Sequence, residues 1–166
     1  MSGSATIDFG VIWKRATDVF VLGSDSLHGP EHWRRVEAFG LRLAGETGAD
    51  RVVLRLFAIL HDSQRQDEWI DPGHGRRGAA FARRLRGEAF QLDDERFALL
   101  EEAIALHADG EVTENPTIGT CWDADRLDLL RVGITPSSDL LNTEAARKLA
   151  PEIGDGAPFG ERRWQL

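Results

Sequence analysis

The stretch VVLRLFAILHD, residues 52–62, decides the fold. It is apolar almost all round, interrupted only by Arg55, and it ends in the adjacent pair His61 and Asp62. A helix that is hydrophobic on every face belongs in the middle of a protein. A titratable pair at the end of such a helix is costly to bury unless a hydrogen-bond network or a metal ion compensates it.

The segments on either side read as further helices. The first is predicted over residues 7–21, followed by a loop at 24–30. The second starts at Pro30, a residue favoured in a first helical turn, and runs to a C-terminal cap near Gly48. Asp50 caps the apolar helix, which is expected to end near Arg65. A fourth helix is predicted over 76–89, and a fifth from a cap at Asp93 or Asp94 to about 109–110. The sixth is expected at 121–132, after a loop at 111–120, and a short last helix between Asn142 and Pro151. Period-two alternation is never sustained, so no strand is predicted and the class is all-α. Residues 1–150 form one helical domain in this reading, and 151–166, rich in glycine and charge, form a tail.

Composition narrows the partners. The 166 residues suffice for one sizeable core, and the 42% hydrophobic and 29% charged fractions are those of a soluble globular protein. A net charge of −8 argues against nucleic acid, whose backbone needs a dominant positive field. Cys121 is the single cysteine, so no internal disulfide forms and a reducing, cytoplasmic setting is expected. The N-terminus lacks a basic region followed by an apolar run, and the longest apolar window is too short for a bilayer. Neither a signal peptide nor a membrane partner is expected.

Helical spacing turns several polar residues inward. His32, Val36, Phe39 and Leu43 share one stripe of the second helix. Phe97, Leu100, Ile104 and His107 share one on the fifth, and Asp125, Leu129 and Val132 on the sixth. His74 stands in the loop before the fourth helix. One inward histidine is ordinarily a satisfied core residue. Four histidines and two aspartates converging from five segments suit a centre for zinc, iron or manganese. His28, in the loop before His32, is a candidate to contact substrate or orient a ligand. Arg76, Arg77, Arg83 and Arg84 fall on one face of the fourth helix; they suit a phosphate clamp, or a plain solvated face.

The order of these residues resembles the HD-domain superfamily of metal-dependent phosphohydrolases. His32-Trp33-Arg34-Arg35-Val36 looks like the family's first-histidine motif, H-x-x-R-V, and Leu60-His61-Asp62 like its namesake pair. His74, with Gly78-Ala79-Ala80 after it, is similar to the third segment, and Ala105-Leu106-His107 to the fourth. Residues 123–128, DADRLD, resemble the closing A-D-R-L motif, which points to Asp125 rather than Asp123 as the ligand. The resemblance covers about residues 27–132. It implies a helical bundle of six to seven helices. It also implies one or two divalent ions (Mn, Fe, Mg, Ni or Zn) held by His32, His61, Asp62, His74, His107 and Asp125. Asp62 would bridge, His32, His61 and Asp125 would complete one site, and His74 and His107 the other. Asp62 and His61 would be catalytic, through metal-activated water acting on a nucleotide or other small phosphoester. His28, Arg77, Arg84 and Arg131 are the candidates to touch that substrate.

Departures from the family pattern limit the inference. Ser63, Gln64, Arg65 and Gln66 follow Asp62, where hydrolases of guanosine tetraphosphate carry acidic residues and the deoxynucleotide 5′-phosphatases a glutamate. The G-Y-P signature of the cyclic-dinucleotide branch is missing, since the chain has no tyrosine. The same six ligands also serve di-iron oxygenases of this fold, and a non-enzymatic binding or sensor module is a further alternative.

Overall fold

The computed structural model describes residues 7–154. Among them lie seven α-helices: α1 Phe9–Val19, α2 Pro30–Thr47, α3 Arg51–Leu60, α4 His74–Leu85, α5 Asp94–Leu106, α6 Pro116–Leu127 and α7 Glu144–Gly154. Short 3₁₀ turns at Asp128–Val132 and Ser138–Leu140 link α6 to α7. The described residues contain no strand, only an isolated bridge between Arg86 and Phe90. None of the described helices is long and apolar enough to cross a membrane.

The apolar helix sits where its composition demands. α3 packs against α1, α2, α4, α5 and α6, and Val53, Leu54, Leu56, Phe57, Ala58, Ile59 and Leu60 are all buried. Each large side chain in such a position contributes about 1.5–3 kcal/mol on leaving water. Arg55 points outward: it pairs with Glu37 of α2 at 2.5 Å and lies over the Phe9 ring of α1. Asp50 starts the helix as expected, accepting the N–H groups of Val52 and Val53 and pairing with Arg96 of α5 at 2.6 Å. Burial raises its carboxyl, but Arg96 and those N–H groups outweigh it and hold Asp50 below its ordinary value.

Several boundaries differ from the sequence expectation. α3 ends at Leu60, not near Arg65, because Ser63 Oγ donates to the Leu60 carbonyl and residues 62–65 form a turn. α4 begins at His74 and stops at Leu85, where a turn closed by Gly87 N–H to the Phe90 carbonyl ends it. α6 starts at Pro116, five residues early, with Asn115 accepting the Thr117 and Ile118 N–H groups. Its α-helical part ends at Leu127, so Leu129 and Val132 fall on the 3₁₀ turn. α7 contains Pro151 rather than ending before it; the proline forfeits one helical bond, and the helix stops three residues later. The expected tail beyond residue 154 lies outside the described residues.

Candidate metal centre

The ligand candidates sit at helix ends that converge. His61 and Asp62 leave the C-terminus of α3, and His107 caps the C-terminus of α5. Both ends carry partial negative charge, which favours a cation between them. His32 lies in the first turn of α2, His74 begins α4 rather than preceding it, and Asp125 lies in the last turn of α6. Two glycines permit the approach of α4. A Cβ at Gly75 would come within 2.8 Å of the Ile104 and Ala105 carbonyls, and one at Gly78 within 3.0 Å of the Leu60 and His61 carbonyls. Only glycine lets His74 come this close to His61 and His107.

Asp62 divides the cluster in two. Its Oδ2 lies 3.6 Å from His32 Nε2 and 3.7 Å from His61 Nε2. Asp125 Oδ1 joins that side, 3.2 Å from His32 Nε2 and 3.6 Å from His61 Nε2. On the other side Asp62 Oδ1 lies 3.2 Å from His74 Nε2 and 3.4 Å from His107 Nε2. The structure therefore brings all six expected residues together. His32, His61, Asp62, His74 and His107 are buried, and Asp125 is half-buried at the wall of a cavity.

The outer nitrogens fix which atoms face the centre. His61 Nδ1 faces the Phe57 and Ala58 carbonyls, His107 Nδ1 the Ile104 carbonyl at 2.7 Å, and His74 Nδ1 the Asp71 carbonyl at 2.5 Å. His32 Nδ1 donates to Asp128 Oδ2 at 2.7 Å. Carbonyl and carboxylate oxygens accept, so each Nδ1 carries a hydrogen; each Nε2 then offers a lone pair to a cation when the ring is neutral, or a hydrogen to Asp62 or Asp125 when the ring is charged. Those lone pairs nearly touch: His32 and His61 Nε2 are 3.1 Å apart, and His74 and His107 Nε2 are 3.0 Å apart. Among the described residues, Asp62 Oδ1 is a buried oxygen that accepts no hydrogen bond. Converging lone pairs and an orphaned carboxylate oxygen call for positive charge between them, and divalent ions fit that demand.

The electrostatics agree. Burial pushes the Asp62 carboxyl up, but His61, His107, His28 and His74 outweigh it and hold it well below the usual carboxylate range. Asp125 behaves likewise, with His32 and His61 overcoming burial. Burial lowers the His32 imidazole, yet Asp125 and Asp128 together hold it above its ordinary value. Both carboxylates thus stay ionised as ligands. Cys121 takes no part: it is fully buried, and burial pushes its thiol far up.

A cavity of about 280 Å³ opens beside the cluster. His28, Arg65, Arg126, Arg131, Leu129 and Leu140 are among its walls. His28 Nδ1 lies 3.0 Å from Asp62 Oδ2, and Arg131 Nη2 lies 3.4 Å from the same ring nitrogen. The loop carrying His28 is pinned by Glu68, which accepts the Ser26 hydroxyl and the Leu27 N–H. The other two substrate candidates stand elsewhere. Arg77 is held by the Gln64 carbonyl and Asp71, and Arg84 lies over the Phe81 ring of its own helix. Neither lines this cavity, because nearby acceptors capture one and α4 turns the other away. Arg83 pairs with Glu101 and Arg76 with Asp109, so that face is an ion-paired surface.

Sequence reading passed over Arg65 and Glu68 as site residues and gave Arg126 only as a candidate partner of Asp125. Asp128, which the sequence offers with Arg131 as a residue to orient a ligand, bind phosphate or form an ion pair, bonds His32, accepts from Arg35 Nε at 2.8 Å and lies 3.7 Å from Arg131 Nη1. Asp123, set aside in favour of Asp125, is spent on structure: its two oxygens accept from Asn142 and Thr143 at the start of α7.

No family model and no curated protein matches the chain. Among solved structures it is similar to one described as a predicted HD superfamily hydrolase from an uncultured Thermotogales bacterium. The TM-score is 0.69 at 27% identity, over 87% of this chain and 83% of that one. The helical architecture, the ordered histidines and aspartates and this likeness give the chain the HD-domain fold.

Proposed function

We propose that this protein is a metal-dependent phosphohydrolase acting on a nucleotide or another small phosphoester. The observation that carries the reading is the division of Asp62, one oxygen facing His32 and His61 and the other facing His74 and His107. That arrangement suits two ions sharing one carboxylate, with Asp125 completing the first site. Such ions, when bound, acidify water and neutralise charge on a phosphoryl group, so no protein nucleophile is required. The chain's own residues hold the ligands in one tautomer, keep Asp62 and Asp125 ionised, and offer Arg65, Arg126 and Arg131 at the cavity wall. Those guanidiniums favour an anion. In a chain of net charge −8 they give the cavity a local positive character, which supports a phosphorylated substrate over a neutral one.

The test is metal analysis of protein purified without chelator, followed by a phosphoester panel with Mn, Mg, Fe and Ni added. Release of inorganic phosphate, abolished by chelator and restored by one of these metals, is the expected result. Oxygen uptake by the iron-loaded protein with no phosphate release would overturn the hydrolase reading in favour of oxidation.

A further inference from the structure

We propose that Arg65 makes the two metal positions unequal by placing a fixed positive charge against the ligands of the second. This rests on the metal-site reading above. Arg65 Nη1 lies 3.3 Å from His74 Nε2 and 3.4 Å from His74 Nδ1. It lies 3.9 Å from Asp62 Oδ1. His74 Nε2 and Asp62 Oδ1 are inward atoms of the His74–His107 side. Among the described residues the cation nearest the first side is Arg131, which acts on His32 at longer range while bonding His28 and Asp128 rather than an inward ligand atom.

The guanidinium is held in place. Its Nε donates to the Asp67 carbonyl at 3.0 Å, and the side chain is about as buried as the ligands, 10% exposed. The Asp67 carboxylate turns away, accepting the Trp69 and Ile70 N–H groups. Among the described residues the positive charge of Arg65 acts on Asp67 and, inside the cluster, on Asp62, the carboxylate that two ions would share. In a buried site, a unit charge beside a divalent ion's ligands weakens that ion strongly. The first ion, at His32, His61, Asp62 and Asp125, fills at low metal, and the second fills roughly tenfold or more less readily.

An anion reverses the handicap. Phosphate over the second position would meet both the ion and Arg65, turning two repelling cations into two partners of one ligand. By linkage, phosphate tightens the second ion by the factor with which that ion tightens phosphate. The second ion then assembles with its substrate instead of standing bound beforehand.

Ligand number alone also makes the sites unequal, so the test turns on charge. Mn²⁺ is titrated against a competing chelator dye into metal-stripped wild-type protein, Arg65→Gln and Arg65→Lys, with and without inorganic phosphate. Thermal melts confirm that each variant is folded. The expected result is that Arg65→Gln tightens the second ion about tenfold and leaves the first unchanged. Arg65→Lys, which keeps the charge, stays near wild type. Phosphate tightens the second ion in the wild type and much less in Arg65→Gln. Equal behaviour of Gln and Lys variants, or a second ion indifferent to both, overturns the proposal while leaving the two-ion centre intact. Wild-type protein that binds no Mn²⁺ removes the metal reading itself.

Discussion

Asp128→Asn removes one oxygen's charge and leaves the fold nearly unchanged, so it isolates what orients His32. Asp128 is 2% exposed and serves two donors at once: His32 Nδ1 at 2.7 Å on Oδ2, and Arg35 Nε at 2.8 Å on Oδ1. An asparagine has one accepting oxygen and one donating nitrogen. Whichever way it turns, its NH₂ group faces a donor. Facing Arg35, it leaves a buried N–H unpaired and removes a charge-assisted bond, at a cost of about 1–3 kcal/mol. Facing His32, it drives the ring to the other tautomer, with the hydrogen on Nε2 and no lone pair left for a metal. Loss of such an outer partner weakens metal binding about 10–100-fold, roughly 1.4–2.7 kcal/mol. Chelator competition should show that loss for the first ion only, because His74 and His107 are oriented by the Asp71 and Ile104 carbonyls instead. A melting point lowered by a few degrees, with the first ion's Kd within about twofold of wild type, would refute the reasoning and leave Asp128 a purely structural residue.

Asp62→Asn should lose most bound metal and activity while helicity by circular dichroism survives; full metal occupancy in that variant would remove its bridging role. Arg131→Gln, at the cavity wall, should raise KM for a charged phosphoester about tenfold with metal content unchanged. Arg77→Gln and Arg84→Gln should stay within about twofold in the same steady-state assay, because neither side chain lines the cavity. Asp50→Ala should lower stability by about 1–2 kcal/mol through loss of the α3 cap and the Arg96 pair, and Asp50→Asn by less, since asparagine still caps. Because the folded-state value of Asp50 lies below its unfolded one, its contribution is present at neutral pH. It is lost as pH falls below about 4, which denaturant melts at several pH values would read as a wild-type-minus-Asn difference that shrinks in acid.

The fold was legible because its central helix is unambiguous. A run with one charge in its first nine residues has only the interior to occupy, and everything else must wrap around it. His32 and His107 were legible for the same reason, since each continues an apolar stripe that lies buried in the structure. Helix ends were less so. The 111–120 segment reads as polar, yet Thr117, Ile118, Gly119 and Thr120 are buried, and the Asn115-Pro116 pair was a start signal passed over. The arginine face left clamp and solvated surface both open because spacing shows only that side chains share a side. Acceptors on neighbouring segments decide where long side chains go, and for Arg77 those acceptors are Gln64 and Asp71. Arg65 and Glu68 were invisible because their partners, His74 and the Ser26–Leu27 backbone, come from other segments.

The closing motif shows how one helical turn divides its labour. Asp123 and Asp125 are two residues apart, which puts them about 200° apart on a helix, so they cannot serve the same neighbour. Asp123 turns to α7 and satisfies four donors there, fixing how the last helix docks. Asp125 turns to His32 and His61. Asp128, one turn further along the same side, takes His32 from behind through Nδ1 while Asp125 faces its Nε2. Two carboxylates from one segment thus grip opposite nitrogens of one imidazole, and that imidazole comes from the far end of the chain.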